Sequence, residues 1–304
     1  MTLEFVSRPL SEFIRPEEFG LFYHIITDQT VSIGIRNGGW IAGGFARTIL
    51  AGESIVDYIW PERRRDVDFP GDIDIFFPDA VSAKNANEDA TANFRSPKFN
   101  TTGRFATDWL LRPNRLTRNY ATSTNIDENR INEVKIQYVT NPPDGFKRTL
   151  IDTISDFDLV NCMVGFDGER IVFPKKWFEL QEFKVIEINK SSTPFLGRRL
   201  AKYLMHRNYN AITHASKDLL IEWVARVKND EWPSIFNAEH TRKQMMMRAL
   251  DQLLSSGDIS LADIVILLNK WTISKKVATD GYGQTRHIQV DWALDKIENR
   301  VEIV

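Results

Sequence analysis

Apolar positions follow two periods along the chain. Residues 8–26 carry Leu10, Phe13, Ile14, Phe19, Phe22, Ile25 and Ile26 at roughly helical spacing, with Pro16 expected to interrupt or restart the helix. The run Gly38-Gly39-Trp40-Ile41-Ala42-Gly43-Gly44, followed by residues 45–50, predicts a short strand, a tight turn at the second glycine pair and a helix. Residues 72–77 (DIDIFF) alternate and then run apolar between Pro70-Gly71 and Pro78, the pattern of a strand. Residues 133–139 (EVKIQYV) form a β-branched strand stopped by Asn141-Pro142-Pro143. Residues 80–93 read as a short polar helix or loop, 144–155 as helix and 157–166 as an apolar run. Asp167-Gly168 ahead of residues 170–173 signals a hairpin.

Beyond about residue 190 the β-branched runs end. Segments of 3.6 period take over at 195–207, 214–228, 240–256, 260–269 and 289–299. A boundary near Ser191-Ser192-Thr193-Pro194 predicts an α+β domain over residues 1–190 and an all-helical domain over 191–304.

Composition narrows the function classes. A chain of 304 residues is long enough for two domains, and 42% apolar residues with eight Trp and nineteen Phe supply a real core. The 39 basic and 41 acidic residues leave a net charge of −2, which excludes a strongly basic nucleic-acid coat but not a local basic face. Cys162 is the single cysteine, so an internal disulfide is excluded. There is no apolar window of spanning length, and the N-terminal residues lack a signal-type apolar region. A cytoplasmic protein without a membrane partner is the expectation.

The candidate chemistry centres on Asp72 and Asp74, two apart on a strand and therefore on one face. Carboxylates held that close repel unless a cation lies between them, and Mg²⁺ (or Mn²⁺) suits oxygen ligands. Upstream, the turn at Gly43-Gly44 and the helix after it can offer backbone N–H groups to a phosphate, with Arg47 one turn on as a charged contact. Taken alone, Gly-Gly reads first as a plain turn, and Asp-x-Asp is equally a solvated strand edge. Lys135 and Gln137 share one face of their strand, either lining a cleft or facing solvent.

In combination, Gly43-Gly44-x-Ala46-Arg47 and then Asp72-x-Asp74 resemble the DNA polymerase β-like nucleotidyltransferase superfamily. The resemblance implies a mixed sheet with helices packed on it and a helical domain closing the cleft. It also implies two Mg²⁺ ions held by the Asp pair and a third carboxylate from a later strand. Asp158, in Phe157-Asp158-Leu159, is the preferred third ligand; Asp156 is its competitor. Twenty-seven residues lie between Gly44 and Asp72, more than the family's usual link, so an insertion over about residues 52–70 is expected to loop out.

The basic segment with Arg198, Arg199, Lys202, Tyr203, His206 and Arg207 loosely resembles the first helix after the catalytic domain of some members, where it faces the nucleotide. Arg199 and Lys202 are the implied nucleotide contacts, against a solvated helix face as the alternative. Arg63–Arg65 and residues 112–118 are candidate nucleic-acid contacts. The five His show no zinc spacing, and Met245–Met247 read as core filler. The resemblance implies transfer of a nucleoside monophosphate from an NTP to an acceptor hydroxyl with release of pyrophosphate. The acceptor is an RNA 3′ end, which the basic stretches favour, a protein side chain or a small molecule. The rival is a binding module of the same fold without turnover.

Overall fold

The alternation at residues 72–77 becomes an interior strand of a seven-stranded mixed sheet. The computed structural model describes residues 3–59, 71–93, 106–110, 134–140 and 147–193. It further describes positions 196, 199, 200, 203 and 209, residues 211–228, and two-residue strands at 278–279, 285–286 and 302–303. Arg63–Arg65, residues 112–118, Arg198, Lys202, His206, Arg207, Met245–Met247 and the expected helices over 240–256, 260–269 and 289–299 lie outside the described residues.

Two compact units divide the chain: residues 1–157 with 161–177, and residues 158–160 with 178–304. In the first, the sheet is built from β1 (Phe5–Pro9), β2 (Trp40–Ala42), β3 (Ile73–Phe76), β4 (Ala106–Leu110), β5 (Lys135–Val139), β6 (Gly165–Phe166) and β7 (Arg170–Pro174), in the order β1-β7-β6-β2-β3-β5-β4. All neighbours are antiparallel except β3 and β5, which run parallel. The helices are α1 (Phe19–Ile26), α2 (Gln29–Arg36), α3 (Gly44–Leu50), α4 (Ile55–Ile59), α5 (Ala80–Asn93) and α6 (Leu150–Ser155).

One face of the central strands is desolvated. Ile73 and Ile75 of β3 join Ile136 and Tyr138 of β5 in the core, together with Val31 and Ile33 of α2 and Ala83, Ala86 and Ala90 of α5. Those alanines fall at i, i+3 and i+7, so a polar helix still presents a small apolar stripe. The strand–turn–helix expected at residues 38–50 is present as β2 and α3. The hairpin at Asp167-Gly168 is β6–β7, with Gly168 at φ +106°.

The expected helix over 8–26 differs in its first half. Residues 5–9 pair with β7, and two 3-10 turns, Leu10–Glu12 and Pro16–Glu18, precede α1. Pro16 opens its turn, where its missing N–H costs nothing. Helix is described only over Leu150–Ser155 of the expected 144–155, opened by a capping box between Thr149 and Asp152. Residues 157–164 are not a strand: a bend at Asp158 leads into a 3-10 turn, Val160–Cys162.

The second unit contains α7 from Phe178 onward (Trp177–Glu182 overall), β8 (Val185–Ile186), β9 (Ala211–Ile212) and α8 (His214–Lys228). A hairpin pairs β10 (Ala278–Thr279) with β11 (Thr285–Arg286). Strand β12 (Glu302–Ile303) joins β9 and β8 in a three-stranded parallel sheet. The helix expected over 214–228 is there; the two-residue strands of this unit are not among the expected elements, because they are too short to leave a period-two signal.

Truncating Ile75, which has no exposed surface, removes contacts on both sides of the sheet–helix interface. Ile75→Ala should destabilise the first unit by about 2–5 kcal/mol, read as a lower midpoint in urea denaturation.

Candidate functional site

The pleat of β3 decides where the two aspartates stand. Asp74 pairs with Ala42 of β2 on one side and Gln137 of β5 on the other, and Asp72 lies immediately before the strand. Ile73 and Ile75 take the buried face, so Asp72 and Asp74 emerge half-buried on the opposite one.

The turn between β2 and α3 comes close to that pair. Gly43 has φ +84°, in the left-handed region that favours glycine, and a Cβ built on it would sit 3.8 Å from Asp74 Oδ2. A Cβ on Gly44 would meet the Tyr58 hydroxyl at 2.5 Å. Tyr58 fills the space beneath: it packs on Phe45, with ring centroids 5.9 Å apart, and its hydroxyl donates to the Asp72 carbonyl oxygen at 2.9 Å. Glu18 fixes the helix that carries Tyr58, accepting from Ser54 Oγ and the Ile55 N–H at 3.0 Å each. Burial, and then the charges of Asp72 and Asp74, hold the Tyr58 phenol well above its ordinary value, so it remains a proton donor. The segment expected to loop out from residue 52 therefore supplies a helix and a wedge; residues 60–70 lie outside the described ones.

Arg47 is placed differently from its expected role. Its side chain is fully buried in α3, and its guanidinium grips Glu53 through both terminal nitrogens. A buried guanidinium needs a carboxylate, and the one it finds belongs to the chain itself. The phosphate contact expected of Arg47 is thus replaced by an internal ion pair.

Sequence reading missed Asp108. On β4 it pairs with Gln137, so Ala42, Asp74, Gln137 and Asp108 form one row across four strands and one face. Asp108 is buried; its Oδ1 accepts from Gln137 Nε2 at 2.8 Å, and its Oδ2 meets Lys135 Nζ at 3.0 Å. Lys135 and Gln137 are thereby fixed on the face that carries Asp72 and Asp74.

In the second unit, Asp158 is buried and ion-paired through Oδ1 with the half-exposed Arg199. Its Oδ2 is buried with no hydrogen-bond partner among the described residues. The Asp158 backbone is held by Asn189, whose N–H donates to the Asp158 carbonyl oxygen at 2.7 Å. The competitor, Asp156, is exposed and paired with Arg148 in the first unit.

Among the described residues, no three His, Cys, Asp or Glu side chains come together closely enough to hold an ion by themselves. The Asp72–Asp74 pair nonetheless fits Mg²⁺. That ion keeps waters and is commonly held by one or two carboxylates plus substrate phosphates, and Asp72 and Asp74 offer two on one face of the strand, with the Gly43 turn close by.

Residues 16–182 match the profile of the Gabija anti-defense 2 family, more than half of the chain. The chain belongs to that family. The matched Gabija anti-defense 2 region contains Gly43, Gly44, Tyr58, Asp72, Asp74, Asp108, Lys135 and Asp158. No curated protein matches the chain in sequence. Solved structures of CCA-adding enzymes resemble it distantly. A Thermotoga maritima CCA-adding enzyme complexed with tRNA aligns at TM-score 0.46 and 15% identity, over 83% of this chain and 55% of its own. A CCA-adding enzyme with ATP aligns at 0.44 and 15%, over 83% and 54%. One with CTP aligns at 0.44 and 14%, over 83% and 55%. This chain spans about half the length of those enzymes. Among the described residues, no helix is long and apolar enough to cross a membrane.

The raised Tyr58 value carries a pH signature. An unfolded tyrosine ionises near pH 10, whereas folded Tyr58 keeps its proton beyond that. The stability linked to this group is therefore fully present below about pH 10 and is lost as pH rises further. Tyr138, also pushed up by burial, adds a loss of the same sign. Tyr58→Phe should lower stability at pH 8 by about 0.5–1.5 kcal/mol through the lost hydrogen bond and should flatten part of the alkaline decline. Denaturation of both proteins at pH 8 and pH 11 measures the two effects.

Proposed function

We propose that this protein is a metal-dependent nucleotidyltransferase that moves a nucleoside monophosphate from an NTP to an acceptor hydroxyl and releases pyrophosphate. One observation carries the reading: two carboxylates stand together on the polar face of a strand whose other face is sealed, beside the glycine turn that opens α3. Bound Mg²⁺ supplies Lewis-acid stabilisation of charge on the triphosphate.

The chain's own residues supply the rest. Asp72 and Asp74 would hold the cation, and their side chains mark the end of the site where the α-phosphate would be attacked in line. Gly43 gives its own N–H to the Val164 carbonyl oxygen at 2.8 Å, so the N–H groups that follow it in α3 are the donors assigned to phosphate. Asp158 is assigned as the carboxylate that takes the acceptor proton. Arg199 and Lys202 are assigned to the outer phosphates. In this reading residues 1–190 carry the chemistry, and residues 191–304 close on the nucleotide. The acceptor is an RNA 3′ end, a protein side chain or a small molecule. The family's name adds the components of Gabija defence to the acceptors worth offering.

Incubation with each α-labelled NTP, Mg²⁺ or Mn²⁺, and cell RNA or protein should label one acceptor class; no labelling under any condition leaves a binding module. Asp72→Asn and Asp74→Asn should each abolish labelling while melting no lower than wild type without metal, because each substitution relieves a like-charge contact. Full activity in both would remove the Asp pair from the reaction.

Asp158→Ala should be inactive and Asp156→Ala substantially active, since Asp156 is an exposed partner of Arg148. The opposite pattern would transfer the third carboxylate to Asp156.

A further inference from the structure

The row across the sheet places a cation beside the aspartate pair. The β3–β5 ladder matches Ile73 with Ile136 and Asp74 with Gln137, so Lys135 comes level with Asp72 on the neighbouring strand. Adjacent strands lie about 4.8 Å apart. Asp108, two strands from Asp74, is then roughly 10 Å away, too far to share a single ion with it directly. It engages Lys135 Nζ at 3.0 Å and Gln137 Nε2 at 2.8 Å instead. Lys135 keeps 38% of its side chain exposed, and an ammonium has three donors, of which Asp108 needs one.

We propose that Lys135 is a phosphate-binding residue of this site and that Asp108 is its positioning residue. The proposal rests on the nucleotidyltransferase reading and deepens it. Where the strand next to Asp74 offers the amide of Gln137 rather than another carboxylate, the added charge from β5 is positive. Buried Asp108 holds the Lys135 ammonium over the sheet, where its remaining protons would be available to a phosphate oxygen of a bound nucleotide. Gln137, tied to the same carboxylate, separates Asp74 from Asp108 and keeps the lysine from collapsing onto the Asp pair. Lys135 would contact nucleotide in the ground state as well as during transfer, so its loss should appear mainly in binding.

The test is calorimetric titration of the full chain with ATP, CTP, GTP and UTP, each with Mg²⁺, alongside the labelling assay. Lys135→Gln should weaken binding of the preferred NTP by about tenfold or more and raise its KM by a similar factor with a smaller change in kcat. Lys135→Arg should restore most of the affinity. Asp108→Asn should weaken binding in the same direction; if it fails to fold, the two Lys135 variants decide the matter on their own. Wild-type affinity in Lys135→Gln, with label transfer intact, would overturn the proposal while leaving the nucleotidyltransferase reading in place. Equal losses in Lys135→Gln and Lys135→Arg, with lowered melting temperatures in both, would make Lys135 only a structural partner of Asp108. A wild-type chain that neither binds an NTP nor transfers label would overturn both readings.

Discussion

The site depends on the register of β3. Ile73 and Ile75 are locked into the core with Ile136 and Tyr138, and side chains alternate strictly along a strand. That locking forces Asp72 and Asp74 onto the other face. A slip of one residue would bury two carboxylates and expose two isoleucines, so the packing that stabilises the sheet also aims the acidic pair. The same ladder carries Lys135 and Gln137 to their places, because the β3–β5 pairing fixes both strands together. Core packing and site geometry are therefore one constraint.

Tyr58 adds a second support from below. Its hydroxyl tethers the Asp72 backbone, its ring packs against Phe45 of α3, and the closeness of that hydroxyl demands glycine at position 44. The turn and the start of the strand, with 27 residues between Gly44 and Asp72, are thus joined through one side chain. Glu18 extends the connection by capping α4 with a buried carboxylate.

Local features were readable from sequence, and long-range ones were not. The glycine turn and the alternating DIDI run carry their signals within a few residues, and both β2–turn–α3 and β3 formed as expected. Asp108 escaped because its meaning lies in Gln137, 29 positions on, and no periodicity reports a pairing at that distance. Tyr58 escaped because it falls in a stretch taken for a looped-out insertion. The run 157–164 looked like a strand because it is almost wholly apolar, yet such a run is apolar through burial alone. Leu159, Val160, Met163 and Val164 are all enclosed while the backbone bends and makes a 3-10 turn. Arg47 showed a charge in a suggestive place; only burial revealed that Glu53 is its partner.

The pairing of β1 with β7 has a practical consequence for trimming the protein. β1 is the outermost strand on its side and covers the whole of Arg170–Pro174, pairing from Phe5–Pro174 to Pro9–Arg170. A version cut back to the family-matched residues 16–182 would keep every candidate site residue of the first unit but would strip this cover. The open ladder of β7, with Ile171, Val172 and Phe173 along it, would become a template for intermolecular strand pairing. Self-association of such a fragment would then reflect a bared sheet edge rather than damage to the aspartate pair three strands away.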